Sequence, residues 1–388
     1  MTPPSPTRRS FVTASAAALA AAAITTPLRS ASPETEGARA APRAREPKKI
    51  LILGGTSFLG PAVVTAALAH GHVVTLFNRG KTNPGLFPDV EKLHGQRRRP
   101  RADRPNSPAQ DLKALEGRKW DAVVDTSAYF TGEVEDMGKV LAGNVGQYVY
   151  ISSLSVYKTL EVDATPVDEQ SPLCECADKY TQEMGANYEN YGALKRYCEE
   201  AASAAFPGKA TLVRPGYIVG PGDPTDRFTY WPARFLRGGE CLAPGTPDND
   251  LQFVDVRDLG EWIVHLIEQG TMGPFNAVGF DGRISVAEFL HTGKGTLNHG
   301  CSFTWVDDAF LEANGVTAWQ EMGCWAPKAK NGHCDNRRAI AAGAKYRPIA
   351  ETIRDTATWV QNGRGDKKWG AGMTAERERE LLAKWKAR

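Results

Sequence analysis

The chain of 388 residues lacks a charge excess: 47 Lys and Arg face 45 Asp and Glu, a formal net charge of +2. That balance removes the electrostatic case for a nucleic-acid or anionic-membrane partner. Its one conspicuous basic run, Arg97, Arg98, Arg99 and Arg101, is broken by Pro100 and is expected to be a solvated loop. Metal-ligand spacing is missing as well. The seven histidines read as scattered and no zinc-ribbon pattern occurs, so no metal site is expected. Seven cysteines cannot all pair within one chain, and Cys174 and Cys176 stand too close together for a redox CxxC. No apolar run reaches the roughly 20 residues that a bilayer of about 30 Å demands.

What is present begins with an export signal. Thr7-Arg8-Arg9-Ser10-Phe11-Val12 is a twin-arginine pair followed by a bulky residue, and an alanine-rich apolar stretch runs from Ala14 to Ile24. Pro27 to Lys49 is rich in Ala, Pro, Arg and Glu without hydrophobic period, a linker. Residues 1–46 are therefore expected to be a Tat signal and linker, with the mature protein exported, soluble and without a membrane anchor; the alternative is a disordered basic N-terminus of a cytoplasmic protein. An exported chain could hold a disulfide among its later cysteines.

Lys48 to Leu53 is a short apolar run that leads into Gly54-Gly55-Thr56-Ser57-Phe58-Leu59-Gly60, and Pro61 to His70 continues as an alanine-rich helix. Strand, glycine turn and helix in that order form a dinucleotide fingerprint. Gly54 permits the tight turn, Gly60 lets helix approach strand, and the helix N-terminus offers N–H groups to a pyrophosphate. Ser57 stands where a middle glycine is expected, so its Cβ narrows the approach while its hydroxyl can donate to phosphate. The next strand, Val73 to Phe77, ends in Asn78-Arg79-Gly80-Lys81. An acid there would hold a ribose 2′-hydroxyl. Arg79, with Lys81 near, suits a 2′-phosphate instead, so the cofactor expected is NAD(P), with NADP favoured.

Two further strands are read at Trp120–Thr126 and Gln147–Ile151, which gives an α/β, doubly wound parallel sheet. Ser152-Ser153 follows the second of them, and Tyr191-Gly192-Ala193-Leu194-Lys195 opens a helical stretch. Tyr and Lys four apart share one helix face, so the ammonium can sit beside the phenol and lower its pKa from near 10.

These residues resemble the short-chain dehydrogenase/reductase superfamily in its extended epimerase/dehydratase branch, over about residues 48 to 360. Arg214-Pro215-Gly216-Tyr217-Ile218-Val219-Gly220-Pro221, Phe253 to Leu259 and Gly273-Pro274-Phe275-Asn276-Ala277 are similar to later segments of that branch. The resemblance implies a Rossmann domain over 47–220 with 251–280 returning to it. It also implies a smaller α+β substrate region from 221–250 and 281–360. The tail over 361–388 reads as helical from its own pattern, with Leu381, Leu382 and Trp385 on one side of a charged stretch. It assigns catalysis to Ser153, Tyr191 and Lys195. Gly54, Thr56, Ser57, Phe58, Leu59, Gly60, Asn78, Arg79, Thr126, Ser127, Lys195 and Pro215 are assigned to the cofactor. The acidic, cysteine-bearing segment from Glu161 to Glu189 reads as a loop over the active site.

For the substrate, Arg227, Tyr230, Trp231 and Arg234 are the candidate contacts: aromatic faces for a sugar ring and a guanidinium for an anionic group. The expected reaction is Tyr/Lys/Ser-assisted hydride transfer on a secondary alcohol of a sugar-like small molecule, as in epimerases and dehydratases. Two alternatives stand beside it. One is a simple exported NADP-dependent dehydrogenase or reductase, and the other is an RNA-binding or regulatory member of the same fold, for which Arg97 to Arg101 would be the contact. A homodimer is implied by the resemblance alone.

Overall fold

The computed structural model describes residues 46–99, 109–160, 166–298, 300–327 and 333–388. The twin-arginine segment and nearly all of its linker, with Pro100 and Arg101, lie outside them.

The first half alternates strand and helix: β1 (Lys49–Leu53), α1 (Leu59–Ala69), β2 (Val73–Asn78), β3 (Glu91–His94), β4 (Trp120–Asp125), α2 (Thr131–Leu141), β5 (Val145–Ile151), α3 (Tyr191–Ala205) and β6 (Ala210–Pro215). The chain continues through β7 (Ile218–Val219), α4 (Tyr230–Arg237), β8 (Gly239–Pro244), β9 (Asp250–Leu251), β10 (Val254–Asp255), α5 (Val256–Gln269) and β11 (Gly273–Ala277). It closes with β12 (Ile284–Ser285), α6 (Val286–Leu297), β13 (Cys301–Val306), α7 (Asp308–Ala313), α8 (Arg337–Ala341), α9 (Ile349–Asn362) and α10 (Ala375–Lys386).

Seven strands form one parallel sheet in the order β11-β6-β5-β4-β1-β2-β3. The fold is the doubly wound α/β class that the strand spacing predicts. β1 is apolar throughout because both faces of the sheet are covered. Ile50 and Ile52 pack with Val63 and Val64 of α1 and Ile263 and Ile267 of α5. Leu51 and Leu53 turn the other way, towards Val134 and Met137 of α2 and Cys198 and Ala202 of α3. The strand order reverses between β2 and β4 around β1, and the crevice that opens there is the usual ligand site of such sheets.

A second core gathers Phe228, Trp231 and Phe235 with Phe289, Val306 and Leu381. Here the structure corrects an expectation. Trp231 is 1% exposed and Tyr230 5%, both packed inside this core rather than facing a substrate. Arg234 is buried too, with its Nε 2.8 Å from Glu378 Oε1 and 2.9 Å from Oε2. Glu378, on α10, also accepts from Arg237 and from the Leu242 amide at 3.0 Å. The physical reason is amphipathicity: α4 turns its aromatic side and Arg234 inward, where the tail helix supplies the counter-charge. No helix among the described residues is long and apolar enough to cross a membrane.

Removing one partner of a buried ion pair strands the other charge, so Glu378→Ala should lower unfolding free energy by about 3–5 kcal/mol. A urea titration reads this as a lower midpoint. A loss under about 1 kcal/mol, the worth of a surface pair, would show that the tail helix is not held by this charge.

Candidate active site

The crevice is a cleft of about 1160 Å³, above the roughly 300–1,000 Å³ typical of small-molecule pockets. One part is lined by Gly54, Thr56, Ser57, Phe58, Leu59, Asn78, Arg79, Thr126, Ser127 and Pro215, and Ser153, Tyr191 and Lys195 line the same cleft. Gly60 sits just behind the turn. A Cβ there would lie 2.6 Å from the Gly55 Cα, which is why α1 can start so close to β1. Asn78 ties the end of β2 to the turn, its Nδ2 donating to the Gly54 carbonyl at 3.0 Å.

The turn suits an anionic group. α1 begins without a capping side chain and without an acid in its first turn, so its first N–H groups keep their partial positive charge for a ligand. Ser57 is exposed and its carbonyl accepts from Gly60 N at 3.0 Å, so its side chain stands clear of the turn's interior. The Ser152 Oγ is buried on the cleft wall without a hydrogen-bond partner. A dinucleotide with a polar nicotinamide end fits such a wall. Arg79 and Lys81 are exposed at the cleft margin beyond β2.

Ser153 follows β5 and caps a short turn, its Oγ accepting from the Ser155 amide at 3.1 Å. Tyr191 and Lys195 lie on the first turns of α3, which presses on that cap: a Cβ on Gly192 would stand 2.0 Å from the Ser155 carbonyl oxygen. Burial raises the Tyr191 pKa, against a hydrogen bond with Ser153 and the positive charge of Arg227. Lys195 departs from the simple pairing. Its ammonium donates to the Ala128 carbonyl at 3.0 Å and the Ile151 carbonyl at 2.6 Å. It also lies 4.5 Å from the Tyr150 ring centroid and 5.2 Å from that of Tyr129. Burial lowers its pKa to about 8, opposed by Cys198, Asp125 and Glu199. Because that value is below the ordinary lysine range, the burial cost is fully present below about pH 8 and fades as pH rises towards the unfolded value.

Within the described residues, Arg97 to Arg99, the basic run is tied down rather than free, with Arg97 buried and Arg98 and Arg99 paired but still partly exposed to solvent. Arg97 is buried and forms a two-pronged ion pair with Asp125, 28 residues on, while Arg98 pairs with Glu133 at 3.4 Å and Arg99 with Asp136. These acids stand on β4 and α2, where no local pattern ties them to the arginines. Arg99 and two further donors hold the Asp136 carboxyl down at about 2, against its burial.

The histidines are not all scattered either. Among the described residues, His70, His72 and Glu268 bring ligand atoms within 4.8 Å of one another. The Lys48 amide donates to His72 Nδ1 at 3.2 Å, which puts the neutral ring's proton on Nε2, facing Glu268 at 3.3 Å. His70 bridges Glu268 at 2.9 Å and Glu261 at 3.1 Å, so the group ties the end of α1 to α5 through hydrogen bonds.

Of the substrate candidates, only Arg227 lines the cleft. Around it stand residues not singled out in the sequence: Tyr217, Asp223, Thr225 and Trp319, with Met184 and Tyr188 from the long segment before α3. Tyr217 and Trp319 stack with centroids 3.3 Å apart. Burial raises the Asp223 pKa despite the Thr225 hydroxyl and amide that donate to it. The only local sign of Asp223 and Thr225 is that they follow the Arg214 to Pro221 segment, which itself contains Tyr217, while Met184 and Tyr188 fall in the segment read as a loop over the active site.

Residues 50–277 match the NAD dependent epimerase/dehydratase family. The chain is 28% identical over 253 residues to the chloroplast stem-loop binding protein of 41 kDa b of Arabidopsis thaliana, covering 61% of each chain. It is 29% identical over 183 residues to the 2-alkyl-3-oxoalkanoate reductase of Stenotrophomonas maltophilia (strain K279a), covering 45% of this chain and 52% of that one. The match thus spans between about half and three fifths of these curated relatives' length. A UDP-N-acetylglucosamine 4-epimerase from Methanobrevibacter ruminantium M1, solved in complex with UDP-N-acetylmuramic acid, superposes with TM-score 0.59 at 14% identity, covering 81% of this chain and 99% of that one. A human epimerase family protein solved with NADPH gives 0.51 at 20%, covering 80% and 99%. At such identities the likeness is one of fold. With the sheet and the cleft as they stand, the match over more than half of the sequence means that the chain belongs to the NAD dependent epimerase/dehydratase family.

Proposed function

We propose that the protein is an NAD(P)-dependent enzyme of the epimerase/dehydratase type that acts on a secondary alcohol of a sugar or sugar-like small molecule. The observation that carries this reading is that Ser153, Tyr191 and Lys195 line the same cleft as the glycine turn. Residues Gly54 to Gly60, Asn78, Arg79, Thr126, Ser127 and Pro215 would hold the dinucleotide, which supplies a hydride acceptor and donor when bound.

The chain's own part is proton handling. Tyr191 as phenolate takes the proton of the substrate hydroxyl, or as phenol returns one to a carbonyl oxygen, while Ser153 hydrogen-bonds the same oxygen. Burial disfavours the phenolate, so nearby positive charge is what makes the base available. Lys195 spends two of its three donors on carbonyls, which leaves one for the cofactor ribose and fixes the charge at the cleft wall. Nucleotide sugars and free cofactor are scarce outside the cell, so an enzyme that recycles a bound cofactor suits the export that the Arg8-Arg9 pair proposes. Lysine at both positions should leave the protein in the cytoplasm on cell fractionation, and unchanged export would discard the Tat assignment.

Two observations weigh the alternatives. The stem-loop binding relative favours an RNA-binding reading, but Arg97, Arg98 and Arg99 are occupied by Asp125, Glu133 and Asp136. A simple dehydrogenase would need cofactor added for every turnover.

Tyr191→Phe should lower turnover by about 10²–10⁴-fold while nucleotide binding persists. The wild-type rate of alcohol oxidation should rise with pH as the phenol ionises, on the alkaline side because burial holds the Tyr191 phenol above its ordinary range. The residual rate of Tyr191→Phe should lack that rising limb, and a limb that survives the substitution belongs to another group. Arg79→Ala should weaken NADP binding by about tenfold or more, the worth of a charged hydrogen bond, and leave NAD binding nearly as it was. Equal loss of both would remove the 2′-phosphate role.

A further inference from the structure

Arg227 differs from the other buried and half-buried arginines of this fold. Arg97, Arg214, Arg234 and Arg364 each face a carboxylate, Asp125, Glu199, Glu378 and Asp226 respectively. Arg227 lines the cleft, and its hydrogen bonds among the described residues are local: its amide and its Nε donate to the Thr225 hydroxyl at 3.5 and 3.0 Å. Among the described residues the two terminal amino groups of its guanidinium have no salt-bridge partner.

The side chain is nevertheless held in place. Asp226, the residue before it, has φ of 59° and is clamped by Arg364, at 3.1 and 2.8 Å, and by the Gly370 amide at 2.9 Å. The Arg227 carbonyl packs so closely on Gly323 that a Cβ there would lie 1.8 Å away. The guanidinium lies 4.8 Å from the Tyr217 ring centroid, and Tyr217 is backed by Trp319. A positioned guanidinium with an unused fork is the usual arrangement for receiving a planar oxyanion.

The neighbouring charges set how much negative charge it can take. Asp223 lines the same part of the cleft, and Asp250 is held by Arg283 at 2.8 Å. Among the described residues from Pro215 onward that line the cleft, Arg227 is the one cation, and with a carboxylate nearby it can neutralise a single negative charge, whereas a nucleoside diphosphate brings at least two. We propose that the substrate is a small hydroxy acid bearing one carboxylate, which Arg227 binds, rather than a nucleoside diphosphate sugar. This rests on the proposed function, in that the same molecule presents its alcohol to Tyr191.

The probes are acids paired with neutral counterparts: glucuronate against glucose and glycerate against glycerol, with UDP-glucose as the diphosphate. Binding to the full-length protein loaded with NADP is measured by calorimetry, and turnover by chromatography and mass spectrometry of the products. At least one acid should bind roughly 10- to 100-fold tighter than its counterpart and tighter than UDP-glucose, a span set by one charge-assisted interaction. Arg227→Gln should erase that preference, chiefly through KM, and Arg227→Lys should restore part of it. Arg227→Gln should also move the rising limb of the pH–rate profile upward, since the Tyr191 phenol loses a nearby cation. Acids and neutral counterparts bound alike, UDP-glucose bound best, or a preference that survives Arg227→Gln would each overturn the proposal. Arg227-dependent binding of an acid without any turnover would instead leave this site standing and remove the proposed chemistry.

Discussion

The geometry of the cleft depends on one buried carboxylate. Asp125 ends β4 with no exposure to solvent, and burial alone would push its pKa up. Arg97 faces it through both terminal nitrogens, Tyr148 donates to it at 2.5 Å, and the Ser127 and Ala128 amides donate at 3.1 Å each. The charge of Arg97 wins, and the carboxyl stays ionised below the usual range. The consequence is positional. The turn after β4 is pinned by the amides of Ser127 and Ala128, and the Ala128 carbonyl then holds the ammonium of Lys195. Thr126 closes the other side, donating to the Leu53 carbonyl at 2.8 Å and so linking this turn to the strand that leads into the glycines.

The same solution recurs elsewhere. Arg214 meets Glu199 between β6 and α3, while Arg234 meets Glu378 between α4 and the tail. Each pair joins two different elements in the interior, where desolvation makes an unpaired charge costly and a paired one geometrically specific. Much of the basic character of the sequence is thus taken up inside the protein. What is left facing the cleft is a short list: Arg79 and Lys81 at one margin, Lys195 on the wall, and Arg227 among the later segments.

How much of this is legible in the sequence follows from how local each feature is. The first strand, the glycine turn and α1 are contiguous, and the apolar run of β1 reports a strand covered on both faces. Tyr191 and Lys195 are four apart on one helix, so their common face needs no tertiary knowledge. The ammonium's choice of the Ala128 and Ile151 carbonyls was not legible, because those atoms belong to the backbone of other segments. The acids that meet Arg97, Arg98 and Arg99 are equally remote in sequence, and a basic stretch looks the same whether solvated or paired. Tyr230, Trp231 and Arg234 show the converse error. Aromatic residues with an arginine on a short helix have the composition of a sugar pocket, yet only the position of α10, more than a hundred residues later, decides that Arg234 faces Glu378. His70 and His72 needed Glu268 from α5 before they could be seen as a group.

The most direct test of the cofactor-dependent reading is to purify the full-length protein without added nucleotide, denature it, and identify what is released by mass spectrometry. The account predicts NADP or NAD in near-stoichiometric amount, or uptake of either when it is offered to an empty preparation. A protein that neither carries nor binds a nicotinamide dinucleotide would contradict it, for the cleft that Asp125 organises would then serve some other ligand.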